Sequence, residues 1–151
     1  MAKIYLMRHS QAAPSDFRTA DEARWLTAKG RRIACDAGEA LAEELAGTPL
    51  DLIVTSPLSR TVQTAELVAQ ALGWRDEIQC MAYLRSESSP RRAMEELLEL
   101  PALSVLAVTH EPMVSSLCAL LSEQSMKDGA GFRPAEICCI ADRKQSWRWR
   151  D

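Results

Sequence analysis

Two arginines and two histidines stand where strand-like stretches of this 151-residue chain end. The run Lys3-Ile4-Tyr5-Leu6-Met7 stops at Arg8-His9. Leu52-Ile53-Val54-Thr55 leads through Ser56-Pro57-Leu58-Ser59 to Arg60, and Ser104-Val105-Leu106-Ala107-Val108-Thr109 stops at His110, the only other histidine. These residue types suit a phosphoryl group. Arginine grips its oxygens bidentately and stays charged at any working pH. Histidine attacks phosphorus only while neutral, a state that its ordinary pKa of about 6.5 permits at physiological pH.

To bring the four together, the strands must end at one edge of a sheet, the edge at which open α/β sheets bind ligands. The rest of the chain supplies the helices that such a sheet needs. Thr27 is placed to cap a helix whose apolar stripe is Ile33, Ala37, Leu41 and Leu45, widened by Ala34 and Ala42 and stopped by Gly47 and Pro49. A second helix starts between Ser56 and Ser59, buries Ala65, Val68, Ala69 and Leu72, and ends at Gly73. Arg60 falls in its first turn, where unpaired N–H groups favour an anion.

A short strand at Ile78-Gln79-Cys80-Met81 precedes a third helix with Ser89 as cap and Pro90 at its first position, and a fourth helix opens at Pro112. Residues 136–141 and 145–150 read as a strand hairpin, with Trp147 and Trp149 packing on one side. Residues 10–25 lack periodicity and read as a loop over the site. The fold expected is α/β: a single-domain three-layer sandwich over residues 1–151, its mostly parallel central sheet covered by helices on both faces.

Composition removes several function classes. A net charge of −3 argues against nucleic-acid binding, which uses a basic face to displace counterions. Five cysteines, Cys35, Cys80, Cys118, Cys138 and Cys139, lack paired spacing and read as buried, reduced thiols of a cytoplasmic protein. Arg8-His9 interrupts the first apolar stretch too early for a signal peptide, and no run is long enough to span a bilayer. With two histidines and no paired carboxylates at ligand spacing, neither metal nor cofactor is expected. Glu95, Glu96 and Glu99 read as a solvated face, and Glu111-Pro112 as a helix opening.

Taken together, Arg8-His9 after a strand, Arg60 within Ser56-Pro57-Leu58-Ser59-Arg60-Thr61-Val62-Gln63-Thr64-Ala65, and His110 in Val108-Thr109-His110-Glu111-Pro112 resemble the histidine phosphatase superfamily. Asp21 to Arg24 followed by Leu26-Thr27-Ala28-Lys29-Gly30-Arg31 is similar to its small branch, the SixA-type phosphohistidine phosphatases. The resemblance runs from Ile4 to about Leu121 and implies a phosphoglycerate mutase-like fold. Where the family has glycines after the first Arg-His and before the second histidine, this chain has Ser10 and Thr109. Both are expected at the substrate, narrowing the pocket or adding hydroxyl ligands, and Ser56 is a further hydroxyl candidate.

On this reading His9 attacks phosphorus in line and water then hydrolyses the phosphohistidine enzyme. Arg8, Arg60 and His110 stabilise the equatorial oxygens as the group moves. Larger members of the superfamily carry a carboxylate acid near the site, and Glu87 is the nearest positional candidate; the alternative is a surface ion pair with Arg85. Without an enzyme acid the substrate needs a leaving group that departs easily, as the imidazole of phosphohistidine does. A short chain with little to enclose a metabolite suits a histidine on another protein. The resemblance implies a phosphotransfer domain of a signalling relay as partner; the chain itself is expected to be a monomer. Two alternatives stay open: a broad phosphomonoesterase on small metabolites, and a phosphate-binding module of the same fold without turnover.

Overall fold

The computed structural model describes residues 2–16, 18–123 and 131–151. Strands β1 (Lys3–Arg8), β2 (Leu52–Thr55), β3 (Ile78–Cys80) and β4 (Ser104–Thr109) run parallel, and β5 (Ile137–Ala141) and β6 (Lys144–Trp149) form the hairpin. They build one six-stranded sheet in the order β3-β2-β4-β1-β5-β6, with β5 antiparallel to both neighbours. Helices α1 (Ala28–Leu45), α2 (Ser59–Leu72), α3 (Pro90–Glu99) and α4 (Met113–Ser122) complete the expected sandwich.

Burial on both faces explains why β1 reads as an unbroken apolar run. Its Ile4 and Leu6 enter one core layer with Ala93 and Leu97 of α3 and Met113 and Leu117 of α4. Tyr5 and Met7 enter the other layer with Ala37 and Leu41 of α1 and Ala65 and Val68 of α2. The hairpin divides in the same way, with Cys138 and Ile140 in the first layer and Ile137 and Cys139 in the second. Trp147 and Trp149 pack against the second layer. Truncating a fully buried leucine here, such as Leu41, costs about 2–5 kcal/mol.

Thr27 and Ser89 cap their helices as expected, accepting from the Gly30 N–H at 2.9 Å and the Arg92 N–H at 3.3 Å. Gly73 closes α2 in the left-handed conformation. α1 ends differently: Ala46 itself takes that conformation, at φ 48°, and Gly47 follows at φ 85°. One expectation about the thiols fails. Cys80 is exposed, because β3 is a three-residue strand at the sheet edge, and Cys35 and Cys118 are only half-buried, while Cys138 and Cys139 are buried on the interior strand β5. Among the described residues no helix is long and apolar enough to cross a membrane.

Candidate active site

Strand register performs the first step of assembly. Arg8 lies opposite Thr109, and Thr55 opposite Val108, so His9, Ser56 and His110 leave the sheet at the same edge. The His9 N–H donates to Thr109 O and the Ser56 N–H to Val108 O, each at 3.0 Å. Arg60, in the first turn of α2, is almost wholly buried. A cavity of about 360 Å³ opens among Arg8, His9, Arg60 and His110, and Gln11, Arg24, Ser86 and Glu111 contribute to its wall.

The His9 Nδ1 lies 2.7 Å from the carbonyl oxygen of Ser10. A carbonyl only accepts, so Nδ1 carries the proton and Nε2 the lone pair. Burial pushes the His9 pKa down to about 4; the Ser10 carbonyl opposes this, while Arg60, Arg8 and Arg24 push it further down. The His110 ring stands 5.4 Å from that of His9, centroid to centroid. Its Nε2 is 2.8 Å from Ser56 Oγ, and its Nδ1 is buried without a hydrogen-bond partner among the described residues. Burial, with help from His9 and Arg60, pushes its pKa down to about 3. Both rings are neutral at pH 7.

The three guanidinium groups are held from behind. Arg8 Nη1 donates to Phe132 O at 2.8 Å. Arg60 donates Nη1 to Asp21 O at 2.8 Å and Nη2 to Asp21 Oδ2 at 3.3 Å, and Arg24 donates Nε to Asp21 Oδ1 at 3.0 Å. Asp21 begins a short 3-10 turn, Asp21–Ala23, in the stretch expected as loop, and its carboxylate joins two arginines. The Nε groups of Arg8 and Arg60 are buried without partners among the described residues. Buried donors left unpaired are costly, and an anion in the cavity supplies acceptors. The strand-end pattern does not single out Arg24, which reaches the wall from this turn.

The four other expected substrate contacts have different places. Ser10 is buried; its Oγ donates to Gly30 O at 2.6 Å and its N–H to Thr64 Oγ1 at 3.0 Å. Its hydroxyl therefore ties the loop to α1, although other parts of Ser10 border the cavity. Gly30 makes this approach possible, since a Cβ there would lie 2.1 Å from Gln11 O. Thr109 is buried and donates to Leu84 O, and Ser56 is occupied by His110. Glu87 is exposed, accepts from Arg85 Nε at 2.7 Å, and is absent from the cavity wall. The Arg85 hydrogen bond holds its carboxyl below the usual range, the reverse of what an acid at neutral pH requires. Among the described residues no group of three or more His, Cys, Asp or Glu could hold a metal.

A family model of the histidine phosphatase superfamily, branch 1, matches residues 4–86. The chain belongs to that superfamily. No curated protein matches it in sequence. Among solved structures, it is similar to the phosphohistidine phosphatase SixA assigned in Agrobacterium tumefaciens, with 19% identity, 99% of this chain and 98% of that chain covered, and a TM-score of 0.85. It is also similar to a protein histidine phosphatase SixA complexed with tungstate, with 24% identity, 97% and 95% covered, and a TM-score of 0.78. A mycobacterial glucosyl-3-phosphoglycerate phosphatase shares the fold at 16% identity, with 91% and 89% covered and a TM-score of 0.68. The superfamily's fold is therefore present over nearly the whole chain.

Proposed function

We propose that this protein is a phosphohistidine phosphatase that works through a phosphohistidine on His9, with a phosphotransfer protein of a signalling relay as substrate. The observation that carries the reading is the His9 ring: Nδ1–H is spent on the Ser10 carbonyl, which leaves an unprotonated Nε2 in a cavity bordered by Arg8, Arg24 and Arg60. Nε2 attacks phosphorus, and the guanidinium groups take the charge of the equatorial oxygens. With the Ser56 hydroxyl donating to His110 Nε2, the Nδ1–H of His110 becomes a further donor to the phosphoryl group.

Substrate choice follows from what borders the cavity. Glu87 points into an ion pair, and the Glu111 carboxylate already accepts from Ser115 and Phe132. An alkyl phosphate needs a proton on its leaving oxygen, whereas a protonated imidazole departs as a neutral base. The likeness to SixA structures supports the same substrate class.

The test is a quenched time course with a phosphohistidine-bearing phosphotransfer domain, following label on substrate, on enzyme and in solution. Transient label on the enzyme, lost in His9→Ala, is the expected result. Release that survives His9→Ala removes the nucleophile. Phosphate binding without release moves the protein to a binding module, and release only from small phosphomonoesters moves it to a metabolite phosphatase.

A further inference from the structure

We propose that Glu111 is a positioning residue for Arg8, acting through the backbone of Phe132. The inference rests on the reading of the cavity as a phosphoryl site. Arg8 enters that cavity from the end of β1, and among the described residues its guanidinium makes one hydrogen bond, from Nη1 to Phe132 O at 2.8 Å. What fixes Phe132 therefore fixes the guanidinium.

Phe132 is held at its other backbone group by Glu111. Its N–H donates to Glu111 Oε2 at 2.8 Å. The same oxygen accepts from Ser115 Oγ at 2.7 Å, and Oε1 accepts from the Ser115 N–H at 3.1 Å, so the carboxylate is clamped on the first turn of α4. The chain from His110 through Glu111 thus joins α4 to the segment behind Arg8. Gly131 shows how close the approach is, since a Cβ there would lie 2.7 Å from Glu111 Oε2. The Phe132 side chain is buried in the core with the Arg148 guanidinium 4.9 Å from its ring centre, which anchors the residue at its ring and leaves the orientation of its backbone to the Glu111 contact.

Charge and position predict opposite signs. A carboxylate on the wall of an anion site repels a phosphate, so removing a mere charge tightens binding. Removing a positioning residue loosens Arg8 and weakens binding. A helix cap alone moves stability and leaves affinity where it was.

The experiment measures inorganic phosphate binding by calorimetry, together with thermal melting, on the full chain and five variants. Glu111→Ala and Gly131→Ala are each expected to weaken phosphate by about tenfold, the size of one lost charge-assisted hydrogen bond. The double variant should bind no more weakly than either single one, because both break the same contact. Glu111→Gln keeps an oxygen for the Phe132 N–H and should recover most of the affinity. Ser89→Ala, which removes the cap of α3 and touches neither Glu111 nor Phe132, should lower the melting temperature and leave phosphate affinity within about twofold, as a cap contributes stability alone. Unchanged or tighter phosphate binding in Glu111→Ala and Gly131→Ala overturns the inference, as does an equal loss in Ser89→Ala. If the unaltered protein binds no phosphate, the inference and the proposed function fall together; binding that ignores the variants removes the inference alone.

Discussion

Asp21 holds Arg60 twice, through its backbone oxygen at 2.8 Å from Nη1 and its carboxylate at 3.3 Å from Nη2. A loop residue thereby sets the orientation of a guanidinium that belongs to a buried helix turn. The same carboxylate holds Arg24, so one anion already sits beside two of the cations that border the cavity. Arg60 in turn holds the Asp21 carboxyl below its usual range, and Arg24 adds to this.

Because the Asp21 side chain is largely exposed, its ion pairs contribute no more than about 1 kcal/mol to folding. Asp21→Asn should leave the melting temperature nearly unchanged and tighten inorganic phosphate by up to about threefold, since a competing negative charge is gone while the backbone contact stays. Titration calorimetry at low and high salt checks this. Weaker binding at low salt would show that the carboxylate positions Arg60 more than it competes.

Acid stability should report the two histidines. Their pKa values fall from about 6.5 in the unfolded chain to about 4 for His9 and about 3 for His110 in the folded one. Between those limits the unfolded chain binds protons that the folded chain refuses, so stability drops as pH falls below about 6.5, by on the order of 1 kcal/mol per pH unit for each ring. Above that pH the term is flat. Urea melts at several pH values should give a shallower slope for His9→Gln and for His110→Gln; slopes parallel to the parent protein would contradict the assignment.

Ser10 and Gly30 belong to one joint. Ser10→Ala removes the 2.6 Å bond to Gly30 O and should cost about 1 kcal/mol of stability with KM unaltered. Gly30→Ala pushes a methyl group into Gln11 and should cost about 1–3 kcal/mol, with a lower kcat because the loop next to His9 moves. Denaturant melts paired with steady-state kinetics separate the two effects.

Ser56→Ala leaves His110 Nε2 without its buried partner. The tautomer is then free to change, and kcat should fall by about tenfold, the loss of roughly one hydrogen bond in the transition state. Glu87→Gln serves as the contrast. Its carboxylate faces Arg85 and solvent, so the pH profile of kcat should keep its alkaline limb. Loss of that limb would restore Glu87 as an acid.

Much of the scaffold was legible because β1, β2 and β4 carry unbroken apolar runs and because Thr27, Ser89, Pro90 and Gly73 punctuate the helices. The convergence of Arg8, His9, Arg60 and His110 was legible for the same reason, since three parallel strand ends can meet only at one edge. Long-range partners were not. The Ser56 hydroxyl looks free in sequence, and only the β2–β4 pairing brings it against a ring 54 positions away. Ser10 and Thr109 look like pocket hydroxyls in sequence because they occupy the family's glycine positions, yet each has a carbonyl within reach, at Gly30 and Leu84 respectively. Arg24 lay in a stretch without periodicity, and what aims it is an ion pair that no local pattern encodes.

The amides of His9 and Ser56 bind carbonyls of β4, one of the two innermost strands of the sheet. Their hydrogens can exchange with solvent only when the sheet itself opens, so their exchange rates measure the global unfolding equilibrium. The Asp21–Ala23 turn is bound mostly through side chains and carries no buried residue, so it should exchange early. Deuterium uptake would then divide the cavity into a slow floor and a fast rim. Partial melting would release the grip on Arg60 long before it disturbed the His9 ring.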